Sequence, residues 1–181
     1  MARLKEVYQR EVIPKMMKKF DFNNPMRTPR VEKVCVNIGI GEARNDPKLL
    51  DLAKKNLALI TGQQPVVTKA KKSISGFHLR KGMAIGCKVT LRGERMYEFL
   101  ERLFNLAIPR FRDFHGISLN SFDGQGNFTL GVKDQLVFPE VEYEDARKLP
   151  GLSVTIATTA DNDEEAEALL RLLGMPFQRR N

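Results

Sequence analysis

The chain has 181 residues, 42% of them apolar, and a formal net charge of +8. That length suits one compact domain with a real core. No apolar run approaches the roughly 18 residues of a membrane helix, and MARLKEVYQR lacks the apolar centre of a signal peptide, so a soluble, cytosolic protein is expected. Cys35 and Cys87 are too few for a disulfide framework and match no zinc spacing, so both are expected to pack as small apolar side chains.

In chain order, residues 3–20 read as an amphipathic, basic helix, with Leu4, Val7, Tyr8, Val12 and Met16 recurring at three and four and Pro14 forced to bend or interrupt it. In VEKVCVNIGI, Val34, Val36, Ile38 and Ile40 alternate with Cys35, Asn37 and Gly39, the period of a strand with one buried face. DPKLLDLAKKNLALITG follows as a helix, with Asp46 as its cap, Pro47 at its first position and Gly62 at its end. A short strand, QPVVTKA, leads into KAKKSISGFHLRKGM (69–83), which follows neither period. In AIGCKVTLRG, Ile85, Cys87, Val89 and Leu91 point one way and Gly86, Lys88, Thr90 and Arg92 the other. Residues 93–108 form a helix with an apolar stripe of Met96, Phe99, Leu100, Leu103, Phe104 and Ala107, ended by Pro109. PRFRDFHG is an exposed turn, a strand lies near 127–132, LSVTIATT is another strand, and NDEEAEALLRLLG is a last helix with an acidic first turn and Gly174 beyond its end.

This order predicts an α+β fold: a mixed or antiparallel sheet with helices packed on one face and the other face open. The expected organisation is a single domain, 1–181, with a helical arm (1–20) and a protruding basic loop (69–83). The open face receives the non-apolar strand positions: Asn37, Lys88, Thr90, Arg92, and Ser153 with Thr155 or their alternates. Such donors and acceptors on rigid backbone suit hydrogen bonding to phosphate, sugar and base edges, although an ordinary solvated face has the same pattern. The face has no aromatic at its middle strand positions, so an RNA held there would be a structured one.

Charge is unevenly placed. Residues 66–115 carry an excess of seven positive charges, whereas residues 116–181 carry an excess of five negative ones. Seven cations (Lys69, Lys71, Lys72, Arg80, Lys81, Lys88 and Arg92) fall within 66–93 without a carboxylate, so nothing nearby is expected to neutralise them. This points to a polyanion whose affinity falls with salt. Catalysis finds little support. GIGEAR only faintly matches a dinucleotide fingerprint, with Arg44 at its third glycine position, and His78 and His115 have no nucleophile–base partner. A free-standing regulatory RNA- or protein-binding module is a further reading of the same pattern.

The strings PRVEKVCVNIGIGEA, LALITGQQPVVTKAKKSISGF, LRKGMAIGCKVTLRGERMYEFLERL, IPRFRDFHG, NSFDGQGNFTLGVKDQLVFPE and DEEAEALLRLLGMPF together resemble the bacterial L-five family of large-ribosomal-subunit proteins. The resemblance covers nearly the whole chain. It implies a structural, non-enzymatic protein of the cytoplasmic ribosome without a cofactor, membrane partner or small-molecule substrate. Its implied partners are 5S rRNA, 23S rRNA, the P-site tRNA and a basic small-subunit protein at an intersubunit bridge in the central protuberance. The resemblance assigns 5S rRNA contacts to Asn37, Gln63, Thr90 and Arg92, beside which periodicity sets Lys88; Gln63, past a helix end, has no periodic signal. The tRNA-contacting loop would use Lys71, Lys72, Ser73, Ser75, Arg80 and Lys81. The bridge would use Arg110, Arg112, Asp113, Glu140, Glu142, Glu144 and Asp145. His115 and Gln125 stand where the family usually has cations.

Overall fold

The computed structural model describes residues 2–41, 47–112, 114, 116–147 and 149–178. One antiparallel five-stranded sheet contains β1 (Val31–Gly39), β2 (Val66–Lys69), β3 (Ala84–Leu91), β4 (Phe128–Val132) and β5 (Leu152–Thr158), in the order β2-β3-β1-β5-β4. The expected α+β class is therefore observed. The chain divides into two compact units, one of Met1–Val34, Leu91–Leu130 and Thr155–Asn181, the other of Cys35–Thr90 and Gly131–Val154.

In the first unit, α1 (Arg3–Val7), a π-helical turn (Tyr8–Val12) and α2 (Ile13–Phe20) follow one another without a break. A proline inside a helix lacks an N–H and crowds the carbonyl four residues back. The wider turn directly before Pro14 relieves that conflict, so the helix continues rather than stops. Leu4, Val12 and Met16 are buried. The Tyr8 hydroxyl donates to the Pro29 carbonyl at 3.1 Å, and burial pushes its phenol up to about 12. Helix α4 (Gly93–Arg102) passes through a π turn (Leu103–Ala107) into a 3₁₀ turn (Ile108–Arg110) that accommodates Pro109. Its whole expected stripe is buried. Helix α6 (Asp163–Leu172) is capped by Asn162, whose Oδ1 accepts from the Glu165 N–H at 2.9 Å. The Asp163 carboxylate also accepts from the Gly124 and Gly126 N–H groups at 3.1 and 2.9 Å, fastening the DGQGN turn to the start of α6.

In the second unit, β2 pairs antiparallel with β3 from Val66↔Lys88 to Lys69↔Ala84, with a register irregularity at Thr68/Lys69. Helix α3 (Pro47–Thr61) buries Ala53, Leu57 and Ile60 and ends at Gly62, which takes φ 67°. Its expected cap, Asp46, lies outside the described residues. Helix α5 (Tyr143–Arg147) is joined to α3 by a Lys55–Asp145 ion pair at 3.2 Å.

Candidate nucleic-acid interface

The alternation read from the sequence fixes which side chains reach the open side of the second unit. Along β1, Val36 and Ile38 are buried while Asn37 and Gly39 are exposed and Cys35 is half-buried. Along β3, Cys87 and Val89 are buried while Lys88 is exposed and Thr90 half-buried. Gly86 departs from this pattern. It is buried, and a Cβ there would collide with the Ile38 carbonyl, so its place is a close strand contact rather than an open position.

The exposed positions cluster. Thr90 Oγ1 lies 3.6 Å from Cys35 Sγ, and Gln63 Nε2 donates to the Thr90 carbonyl at 3.4 Å. Pairing with β2 begins only at Val66↔Lys88, so the Thr90 carbonyl lies past the paired stretch and a side chain from the α3–β2 connection reaches it. Gln63, which periodicity could not select, thus joins Thr90. On the other side of Asn37, Ser153 donates to the Asn37 carbonyl at 3.4 Å. A shallow depression of about 440 Å³ there is lined by Asn37, Gly39, Gly131, Lys133 and Ser153. Sequence reasoning missed Lys133, a single cation just after β4.

Arg92 belongs to the first unit, where its guanidinium lies 3.3 Å from the Glu32 carboxylate. This corrects the expectation that nothing neutralises the cations of 66–93: a neighbouring strand brings in a carboxylate 60 residues away. Both groups are exposed, so the pair is weak and salt-screened, and a phosphate can compete for the arginine.

The 69–83 segment connects β2 to β3. The Ala70 N–H donates to the Met83 carbonyl at 2.8 Å and the Gly82 N–H to the Ala70 carbonyl at 2.9 Å. Farther out, Ile74 and Leu79 exchange backbone hydrogen bonds at 3.0 and 3.1 Å around a 3₁₀ turn (Ser75–Phe77). His78 closes that turn in the left-handed region at φ 51°. Ser73 Oγ accepts from the Lys81 N–H at 3.0 Å, so Ser73 ties the two limbs together. Lys71, Lys72, Ser75, Arg80 and Lys81 are exposed, and among the described residues none of these cations has an ion pair.

The proposed bridge residues fall in different units. Arg110 and Arg112 are exposed in the first; Asp113 and His115 lie outside the described residues. Glu142 and Glu144 are exposed in the second, Glu140 is half-buried, and Asp145 is engaged by Lys55. Cys87 is fully buried and its thiol is pushed up to about 11 by burial, while Cys35 is half-buried, as packing cysteines should be. No helix among the described residues is long and apolar enough to cross a membrane.

Comparison with known proteins joins this geometry to a family. The Ribosomal protein L5 family model matches residues 24–80, and the model for the C-terminus of the same ribosomal family matches residues 84–177. The chain is 59% identical over 178 residues to the large ribosomal subunit protein uL5 of Syntrophomonas wolfei, covering 98% of this chain and 100% of that relative. It is 60% identical over 179 residues to the protein of the same name from Dictyoglomus thermophilum, covering 99% and 100%. The class is a structural constituent of the large ribosomal subunit, working in the cytoplasmic ribosome and its rRNA context, and not an enzyme. Within that class, the chain belongs to the ribosomal protein L5 family.

Proposed function

We propose that this large-subunit protein binds 5S rRNA through the open sheet face bearing Asn37, Gln63, Lys88 and Thr90, with Arg92 as a further phosphate partner. The observation that carries the reading is the convergence of Gln63 on Thr90, beside exposed Asn37 and Lys88, on strands whose other side is core. Neutral amides and a hydroxyl set orientation, and the lysine supplies attraction to the backbone. In this reading residues 1–181 act as one rRNA-binding domain that helps anchor 5S rRNA to 23S rRNA in the central protuberance. The 69–83 loop touches the P-site tRNA through Ser75, Arg80 and Lys81, with Lys71 and Lys72 on phosphates at its root and Ser73 holding its shape. The turn at 110–113 and the acids Glu140, Glu142, Glu144 and Asp145 meet a basic small-subunit protein.

Titrating purified chain with 5S rRNA and with an unrelated structured RNA of equal length tests the main claim. Preference for 5S rRNA, with an affinity that falls steeply as salt rises, is expected. Equal affinity for both RNAs would count decisively against it.

A further inference from the structure

The chain has seven methionines, of which all but Met1 are described. Most of them are shielded. Met16, Met96 and Met175 are buried, and Met17 and Met83 are half-buried. The Met83 sulfur is also engaged, since it accepts from the Arg80 N–H at 3.1 Å. Met26 is the exception: it is 82% exposed, more than any other large apolar side chain among the described residues. The 3₁₀ turn that carries it, Pro25–Arg27, is nonetheless fixed. Asn24 Oδ1 accepts from the Met26 N–H at 2.9 Å, and the Arg27 and Thr28 N–H groups donate to the Asn24 and Pro25 carbonyls, each at 3.1 Å. The Arg27 guanidinium lies 5.3 Å from the centre of the ring of buried Phe22 and 3.8 Å from the Asp161 carboxylate. Backbone bonds and the neighbouring side chains hold this turn, so its shape does not depend on the chemical state of the Met26 sulfur.

We infer that Met26 is a site of reversible oxidation in the free chain, taking one oxygen atom from hydrogen peroxide. Its sulfur attacks one peroxide oxygen: an S–O bond forms, the O–O bond breaks, the sulfur gives up two electrons, and the other oxygen leaves as water after taking the proton of the first. The product is a sulfoxide, a polar and chiral tip where a flexible apolar one stood, and methionine sulfoxide reductases reverse it. Thioethers in the core meet the oxidant only when the chain opens, so the unfolding equilibrium slows them. At Met26 both oxidant and reductase reach the sulfur with the fold closed. The change therefore alters the surface of the first unit and leaves its core intact. This inference stands apart from the rRNA reading, since it concerns the chain before a partner covers it.

The test treats the purified full-length chain with dilute hydrogen peroxide, digests it with trypsin and follows sulfoxide by mass spectrometry. Trypsin releases residues 20–27 as a peptide in which Met26 is the single methionine. Met26 should oxidise several-fold faster than Met17 or Met83. It should also outpace Met16, Met96 and Met175 by roughly a thousand-fold or more, a difference that unfolding in urea removes. The chain oxidised at Met26 should keep its urea midpoint, and reductases for both sulfoxide epimers should restore the peptide's original mass without unfolding. Met26→Leu, which keeps apolar bulk and lacks the sulfur, should leave the midpoint unchanged as well. Oxidation of Met17 or Met83 ahead of Met26 would overturn the inference. So would a midpoint lowered by the sulfoxide or by Met26→Leu, or a sulfoxide at Met26 that the reductases leave in place on the folded chain.

Discussion

Replacing Asn37 with alanine isolates recognition from folding. The Asn37 side chain is exposed and makes no hydrogen bond to a described residue; the Ser153 hydroxyl bonds its backbone carbonyl, not its carboxamide. Its loss should therefore change stability by no more than about 0.5 kcal/mol, as for surface positions generally. At the interface, a hydrogen bond from the carboxamide to a phosphate is charge-assisted and contributes about 1.5–3 kcal/mol. That corresponds to a Kd for 5S rRNA raised roughly 10- to 150-fold. Because asparagine is neutral, the slope of log K against log salt should stay the same, which separates this loss from that of a lysine. Urea unfolding supplies the stability arm and filter binding over a salt series the affinity arm. Unchanged affinity with unchanged stability would refute the placement of Asn37 in the interface. A large drop in stability would refute the premise that its side chain is free of the fold.

Gly151 and Gly131 should respond differently to alanine. A Cβ at Gly151 would sit 2.5 Å from the Val132 carbonyl oxygen and 3.0 Å from Lys133 Cα, whereas one at Gly131 meets nothing within 4 Å. Urea midpoints should show Gly151→Ala destabilised by about 1–3 kcal/mol, the scale of overpacking, and Gly131→Ala almost unchanged. The Asp123 carboxyl is held below its ordinary value by hydrogen bonds from the Asn127 side chain and from the Gln125 and Asn127 N–H groups. A depressed carboxylate stabilises above its unfolded pKa and loses that contribution as pH falls through the folded value. The Asn127 amide resonance should accordingly titrate with a midpoint under 3.8, and Asp123→Asn should abolish that titration. Lys71→Ala/Lys72→Ala should lower the salt dependence of tRNA retention on the ribosome without moving the unfolding midpoint, since both side chains are exposed.

What the sequence disclosed was what local rules encode. The period of two in β1 and β3 follows from the pleat, so Asn37, Lys88 and Thr90 could be assigned to one side from spacing alone. The acidic first turn of α6 and Gly174 beyond its end were equally readable, because helix-end signals are properties of a few adjacent residues. Interactions closed by the tertiary fold were not. Gln63 reaches Thr90 across 27 residues and from outside any regular element, so only family resemblance pointed to it. The Glu32 partner of Arg92 lies on another strand, and counting charges within one stretch could not find it. The 69–83 loop lacks a period because its hydrogen bonds are irregular, joining Ala70 to both Met83 and Gly82 and a serine side chain to the Lys81 backbone. The π turn before Pro14 was likewise hidden, since the sequence shows that a proline must disturb a helix but not how the chain absorbs it.

The thiol at Cys35 offers the most direct view of the sheet face, because it lies 3.6 Å from the Thr90 hydroxyl and shares the face of Asn37. Cys87, buried and with its thiol pushed up to about 11, serves as an internal control that should stay unlabelled in the folded chain. With a small alkylating reagent, saturating 5S rRNA should suppress labelling of Cys35, and an unrelated RNA at the same concentration should not. Cys35 labelling that proceeds at the same rate with 5S rRNA fully bound would show that the RNA sits elsewhere, and would contradict the account.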